Sequence, residues 1–200
     1  MSLTKISNNS LSAISTLPAS IPAGALTLLS TQTASSSASI SFTSGIDSTY
    51  DSYVFKFIDI NPATDGTFFQ TNFSTDSGSN YNVTKTTTYF VARHDEGDTD
   101  TQLAYKTAFD LAQSTSSQSI TQTLGNGADE TASGTLQIFN PSSTTFVKHF
   151  ISTTNNYTDA NFSQNIFVAG YANTTSAIDA IKFEMSSGNF DGIIKMYGVS

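Results

Sequence analysis

The sequence predicts an all-β fold, an antiparallel β-sandwich of jelly-roll type that follows an extended N-terminal arm. Three observations support this prediction. The 200 residues include 31 serines and 30 threonines, which are common on the polar faces of strands and in turns. From about residue 25 onward, apolar side chains recur at every second position, which is the period of a strand. Aromatic residues make up 12% of the chain, which favours a packed core although only 38% of the residues are hydrophobic.

Residues 1–24 are predicted to form an arm that docks on a partner, separate from a β-domain that spans 25–200. Apolar residues recur in this segment at ragged, near-helical intervals, and Pro18 and Pro22 interrupt any helix. The residues expected to contact the partner are Leu3, Ile6, Leu11, Ile14 and Leu17. Since no positively charged region precedes an apolar stretch, a signal peptide is not predicted.

Five strands are predicted in the first half of the β-domain. They lie at 25–33, 39–43, 52–60, 67–75 and 84–93. The third has Tyr53, Phe55 and Phe57 on one face and further apolar residues, Ile58 and Ile60 among them, on the other. Apolar residues on both faces predict a central strand that is covered on both sides.

Polar clusters separate these strands, and one later segment is ambiguous. Residues 61–66, 76–82 and 94–100 are rich in Asn, Asp, Gly and Ser, which predicts turns and loops. Residues 101–113 are compatible with one or two helical turns or with an irregular strand.

The second half predicts further strands with clearer alternation. They lie at 135–140, 145–153, 165–172, 180–188 and 190–200. The ten segments of the two halves are interpreted as about nine short strands. In the second of these, Phe146, Lys148 and Phe150 share one face. The segment 165–172 is so apolar that it is predicted to be buried.

The composition excludes several classes of function. Without cysteine, the chain has no disulfide, zinc–thiolate site or thiol nucleophile. A net charge of −8 with only eight basic residues argues against nucleic acid and anionic membranes as partners. No stretch approaches the ~18 consecutive apolar residues that a transmembrane helix needs.

The residues that could carry chemistry are few, and each has a simpler structural interpretation. His94 lies in an acidic segment with Asp95, Glu96, Asp98 and Asp100, which could bind Ca²⁺ but does not have EF-hand spacing, so a solvated acidic turn is favoured. His149 is interpreted as a strand or interface residue. The glycines of 125–130 are turn glycines, since no phosphate-loop lysine follows them. The sequence therefore predicts no catalytic, cofactor-binding or metal-binding residue.

Several tyrosines could instead stack on sugars, although tyrosine is also common in sheets and interfaces. They are Tyr50, Tyr81, Tyr157 and Tyr171. A glycan site formed by them would use the loops near 76–82, 94–100 and 125–130.

Three segments together resemble a known group of proteins. They are TASSSASISFTSGIDSTYDSYVFKFIDINPATDG at 33–66, FNPSSTTFVKHFIST at 139–153 and TTSAIDAIKFEMSSGNFDGIIKMYGVS at 174–200. The chain resembles small virion structural proteins of tailed marine and cyanobacterial bacteriophages. In that group, an arm similar to LTKISNNSLSAISTLPASIPAG precedes the β-domain, and a strand similar to GIIKMYGVS ends the chain. Residues 95–134 match least.

The resemblance implies a non-enzymatic structural protein of the virion, assembled in the host cytoplasm, whose partners are other capsid or tail proteins. A capsid decoration or head-fibre component is favoured, because a tail fibre usually needs a stalk and the chain has no heptads. A homo-oligomer is expected, with a trimer as the hypothesis. The alternatives are a tail-fibre or tail-tip protein that binds host glycan and, third, a glycan depolymerase, against which the composition argues.

Overall fold

The computed structural model describes residues 26–200. The predicted arm and its five apolar residues therefore lie outside the described residues. Within 26–200 the chain forms twelve β-strands, which confirms the all-β prediction. They are β1 (Thr27–Ser37), β2 (Ser39–Phe42), β3 (Ser52–Pro62), β4 (Phe69–Ser74), β5 (Lys85–Asp95), β6 (Thr101–Tyr105), β7 (Gln118–Ser119), β8 (Ala132–Phe139), β9 (Lys148–Tyr157), β10 (Phe162–Ala172), β11 (Ala180–Met185) and β12 (Phe190–Val199).

The strands form two antiparallel sheets that pack face to face as a sandwich. The large sheet has the order β1-β12-β3-β8-β9-β10-β5-β6, and the small sheet has the order β2-β11-β4-β7. The jelly-roll part of the prediction is not confirmed, because these sheets hold eight and four strands, whereas a jelly roll divides eight strands between two sheets.

Phenylalanine rings fill the space between the two sheets. Phe183 on β11 is fully buried at the centre of this cluster, and its ring lies 5.1 Å from that of Phe57 on β3. The rings around it are those of Phe42, Phe55, Phe57 and Phe69. Phe183 alternates with Lys182 and Glu184 along β11, so the period-two pattern correctly predicted which side chains face the core.

The segment 106–124, which is irregular apart from β7, packs against the large sheet together with the small sheet. Polar side chains of the large sheet hold this segment in place by bonding to its backbone. Thr154 donates to the carbonyl oxygen of Ile120, and the amide of Asn156 donates to that of Gln122 at 2.9 Å. These bonds satisfy backbone groups that would otherwise be buried without a partner. Part of the serine- and threonine-rich composition therefore stabilises the core.

Strand β3 is central, as predicted, but the described residues cover only one of its faces. Asp59 adopts a positive φ of 50°, and the register with both neighbouring strands shifts there. This irregularity turns Ile60 towards the core, on the side of Phe57, whereas Val54 and Ile58 stay half-exposed. The prediction that Ile60 lies on the opposite face from Phe57 was therefore wrong.

Two other segments differ from their predictions. The ambiguous segment after residue 100 begins with the regular strand β6, which pairs with β5 in a hairpin, and continues in turns. The segment 165–172 is buried on one face only, because Ile166 and Val168 are fully buried whereas Phe167 between them is 47% exposed. Residues 26–200 contain no helix long and apolar enough to cross a membrane.

Candidate interaction surface

The large sheet has one face towards the core and an outer face that turns away from the small sheet. On β5 the outward positions are even-numbered, as in Phe90, whereas on β10 and β6 they are odd-numbered, as in Phe167 and Leu103. The register places Phe90 directly between its neighbours, because it pairs with Phe167 on β10 and with Tyr105 on β6. Antiparallel pairing thus aligns three aromatic side chains across three strands.

These aromatic residues form the centre of an exposed apolar surface, here called the aromatic patch. Its members and their exposed fractions are Phe90 (44%), Leu103 (80%), Tyr105 (43%), Ile151 (41%) and Phe167 (47%). The rings of Phe90 and Tyr105 meet edge to face with centroids 5.1 Å apart. A shallow depression of about 230 Å³ lies between Phe90, Leu103 and Phe167, with Ala92 and Asn165 beside them. Contiguous exposed apolar surface of this kind is typical of an interaction site.

The distribution of charge distinguishes the aromatic patch from the rest of the outer face. The outward positions of β9, β10, β5 and β6 contain no Asp, Glu, Lys or Arg. In contrast, Lys56 and Lys195 pair with each other on β3 and β12, in the other half of the same face. Lysines keep a sheet face in water, whereas an uncharged aromatic face is suited to contact with a protein.

The acidic segment 94–100 is the tip of the β5–β6 hairpin, and its side chains bond to one another. The Asp95 carboxylate accepts hydrogen bonds from the backbone N–H groups of Thr99 and Asp100, at 2.8 and 2.7 Å, and from the Thr99 hydroxyl. These bonds lower the pKa of Asp95 to about 2. Arg93 pairs with Asp100 at 2.6 Å, and His94 Nε2 lies 3.1 Å from Asp98 Oδ1. The arrangement accounts for these groups as parts of a tight turn.

A second cluster of acidic side chains, which consists of Asp65, Glu130 and Asp159, lies at the same end of the sandwich. The pKa of Asp159 is raised by burial and by the negative charges of Asp65 and Glu130. Glu130 accepts a hydrogen bond from the backbone N–H of Gly127 at 2.6 Å, and Asp65 accepts one from Asn126 at 3.3 Å. Between residues 26 and 200, the structure shows no group of three His, Asp or Glu side chains arranged to hold a metal ion.

His149 and the four tyrosines considered as sugar platforms are spread over the molecule. His149 is exposed on β9, beside Tyr171, with ring centroids 6.2 Å apart. Tyr50 packs against a core tyrosine, Tyr157 bonds within its own turn, and Tyr81 lies beneath a lysine. All four tyrosines are half-buried rather than exposed.

The three loops proposed for a glycan site also do not all lie together. The loop 94–100 follows β5 and lies near the turn at 158–161, since Glu96 N donates to Asn161 O. Loop 125–130 lies at this same end, because it leads into β8 next to the end of β9. Loop 76–82 precedes β5, whose eleven residues separate it from loop 94–100. The structure therefore does not form a site from these three loops.

Two buried lysines are the titratable groups that the sequence analysis missed. Lys85 and Lys148 are both fully buried. Lys85 Nζ donates to Asn72 Oδ1 at 2.6 Å and to Val83 O at 2.8 Å, and burial lowers its pKa to about 8. Lys148 Nζ donates to two backbone carbonyls, and burial lowers its pKa as well. The signal was present in the alternation, since Lys148 shares its face with Phe150.

Comparison with protein-family models, with curated proteins and with solved structures found no match for this chain. The structure defines it as an antiparallel β-sandwich with an uncharged aromatic patch on one outer face.

Proposed function

We propose that this protein is a non-enzymatic structural subunit of a bacteriophage particle, most simply a capsid decoration or head-fibre component. In this proposal the arm at residues 1–24 anchors the protein to another virion protein, and the β-domain projects from the particle surface. The resemblance of three segments to virion proteins supports the phage assignment. The aromatic patch is the observation that carries the structural role, because a sheet face without charges is suited to lasting contact between proteins.

The local bonding of the titratable groups supports a role that does not depend on catalysis. The carboxylates of the two acidic groups serve mainly to hold their own turns, as Asp95 and Glu130 do. The buried amine of Lys85 contacts an amide and a carbonyl. A general acid–base mechanism needs such groups within reach of a substrate and of each other.

Immunogold labelling of intact particles tests the proposal, with an antibody raised against residues 25–200. Label spread over the heads supports a decoration or head-fibre protein, whereas label confined to the tail supports a tail protein. If mass spectrometry of purified particles fails to detect the protein, the virion assignment is wrong.

Deletion of residues 1–24 tests the anchoring role of the arm. We expect the truncated protein to keep its β-type circular dichroism spectrum but to be lost from particles. A matched variant keeps the length of the arm and replaces its five apolar residues, Leu3, Ile6, Leu11, Ile14 and Leu17, with serine. Loss of incorporation in both variants assigns anchoring to these side chains, and normal incorporation of either variant contradicts that role.

One observation favours host-glycan binding as a second candidate function. A depression of about 490 Å³ at the hairpin end of the outer face is lined by Gln102, Asn155 and Asn165, close to the exposed rings of the aromatic patch. Amides beside aromatic rings can bind sugar hydroxyls and stack on sugar rings. A glycan array with the wild-type protein and with Asn165→Ala tests this function. Binding that is lost in Asn165→Ala supports it, and the absence of binding contradicts it.

A further inference from the structure

Strand β6 is an edge of the large sheet, and half of its backbone groups point away from that sheet. Its only strand partner among the described residues is β5. Asp95 N donates to Asp100 O at 3.1 Å, and Lys106 N donates to Tyr89 O at 3.0 Å. These two bonds join directly opposite residues just before and just after β6. Because hydrogen-bonded and non-hydrogen-bonded pairs alternate along an antiparallel ladder, the even-numbered residues of β6 bond to β5. The N–H and C=O groups of Thr101, Leu103 and Tyr105 therefore point outward.

The other edge strands of the two sheets are short or irregular. Strand β1 shifts register at two points and has a positive φ at Ser36, whereas β2 has four residues and β7 has two. Bulges and short length prevent an edge from pairing with another chain. Strand β6 keeps an unbroken register with β5, contains no proline or lysine, and has the 80% exposed Leu103 at its centre. It is therefore an edge that can accept another strand.

We propose that β6 pairs with the β6 of a second copy of this chain, antiparallel and about a two-fold axis at Leu103. Leu103 then lies opposite Leu103 of the second copy, and Thr101 lies opposite Tyr105 of the second copy. All of these residues have outward-pointing backbone groups, so the register forms six hydrogen bonds between the copies. A strand that adds to a free edge in this way gains its affinity mainly from main-chain bonds.

The charges at the ends of β6 complement this register. Asp100 is three residues before Leu103, and Lys106 is three residues after it. A two-fold axis at Leu103 therefore places Lys106 of one copy opposite Asp100 of the other, twice per pair, and Asp100 keeps its ion pair with Arg93 of its own copy. The acidic hairpin tips lie at opposite ends of the paired strands, so they do not face each other. This pairing thus offsets part of the repulsion expected between copies of a chain with a net charge of −8.

The same pairing makes the aromatic patch continuous across the two copies. Leu103 and Tyr105 share the outer face with Phe90, and Tyr105 contacts Phe90 directly. In the pair, the Leu103 side chains of the two copies are neighbours, and each is flanked by Tyr105 of its own copy. The result is a dimer with a single enlarged apolar face, because a two-fold contact uses the edge of both copies. A trimer, which is the hypothesis stated above for the homo-oligomer, does not use this contact.

The oligomeric state of the purified full-length chain tests this proposal, independently of whether the protein is found in a virion. Sedimentation equilibrium is expected to give twice the chain mass of 21.3 kDa. Leu103→Pro removes an outward N–H and no bond to β5, so we expect the variant to be monomeric with an unchanged circular dichroism spectrum. Leu28→Ser is the matched control, because Leu28 is 51% exposed at the opposite edge of the same sheet. This control is expected to remain dimeric.

Two further variants keep the test decisive if Leu103→Pro fails to fold. Lys106→Asp places like charges opposite each other and is expected to weaken the dimer about tenfold or more at low salt. Leu103→Cys introduces the only thiol of the chain, and a short bismaleimide is expected to cross-link it into dimers, whereas Leu28→Cys is not. A monomer or a trimer of the wild-type chain overturns the proposal. So does a dimer that is unaffected by both Leu103→Pro and Lys106→Asp.

Discussion

Within residues 26–200, Lys85 is an amine that the fold buries without an opposite charge, so it should contribute to the dependence of stability on alkaline pH. Its side chain is fully buried at the start of β5, and its Nζ has Asn72 Oδ1 and Val83 O as hydrogen-bond acceptors. The ring of Phe73 lies 6.0 Å from the amine. Burial lowers the pKa of Lys85 from 10.5 to about 8, because the neighbouring dipoles do not replace the water that a cation loses.

The sign of the effect follows from proton binding. Between pH 8 and 10.5 the unfolded chain keeps the proton on Lys85 and the folded chain releases it, so the free energy of unfolding rises with pH in this window. Below pH 8 the folded state carries the full penalty of a buried cation. The difference between a pKa of 10.5 in the unfolded chain and about 8 in the folded chain corresponds to about 3 kcal/mol in the free energy of unfolding, at about 1.4 kcal/mol per pKa unit.

Lys85→Met removes the cation and keeps a side chain of similar length. At pH 7 the gain of about 3 kcal/mol is partly offset, because Val83 O loses its partner, which costs about 1–3 kcal/mol. We therefore expect the variant to be more stable than the wild type by about 1 kcal/mol at pH 7 and less stable by about 2 kcal/mol at pH 10.5.

Urea unfolding followed by far-ultraviolet circular dichroism, at pH values from 7 to 10.5, measures both curves. Tyrosine ionisation affects the two proteins alike and cancels in their difference. Lys56→Met is the control, since Lys56 is half-exposed on the outer face of β3 and its variant should follow the wild-type curve. If the Lys85→Met and wild-type curves run parallel from pH 8 to 10.5, then Lys85 is not a buried cation and the reasoning fails.

Three other predictions concern packing and turns. Phe183→Ala should lower the free energy of unfolding by about 3–5 kcal/mol, because Phe183 contacts four other phenylalanine rings, whereas Phe146→Ala at a 69% exposed position should change it little in the same urea titration. Gly134→Ala should lower the midpoint of thermal unfolding, because a Cβ there would lie 2.4 Å from a backbone oxygen of β9; an unchanged midpoint would contradict that close approach. The carboxyl of Asp95 should titrate near pH 2 by NMR, so its contribution to stability is present above its ordinary pKa of 3.8 and is lost as the pH falls towards 2. Asp95→Ala should also speed amide exchange at Thr99, whose N–H then loses its acceptor.

Alternation in the sequence predicted the core-facing side chains of some strands but not of all. In β11, Phe183 and its neighbours at every second position face the core as expected. The prediction failed at Ile60, because a residue with positive φ inverts the alternation and nothing about Asp59 in the sequence indicates it. The prediction was also incomplete for 114–124. That segment is held mainly by hydrogen bonds from side chains of β5 and β9, and less by pairing between strands. Such long-range bonds leave no local pattern.

The buried lysines show the opposite failure, in which the pattern was present and the residue type obscured it. Lys85 has the same parity as Tyr89 and Val91 on β5, and both of these residues are fully buried. A lysine usually keeps its charge in water, so the residue type alone does not indicate that Lys85 is buried. Here Asn72 Oδ1 and Val83 O accept hydrogen bonds from the Lys85 amine, which makes its burial possible. The odd-numbered position of Lys85 in β5 therefore indicates its burial better than the hydrophobicity of its side chain does.

The aromatic patch was missed for a reason that bears on its function. Residues 165–172 were predicted to be buried because apolar side chains occur at both odd and even positions. The fold of one chain buries only the even positions, which include Ile166 and Val168. The sequence thus contains more apolar strand surface than a single sandwich can bury. Lysines accompany the half-exposed apolar residues on β3 and β12, whereas none accompanies Phe90 and Phe167. Surplus apolar surface without charge, beside an edge strand without protection, is what contact with another protein requires.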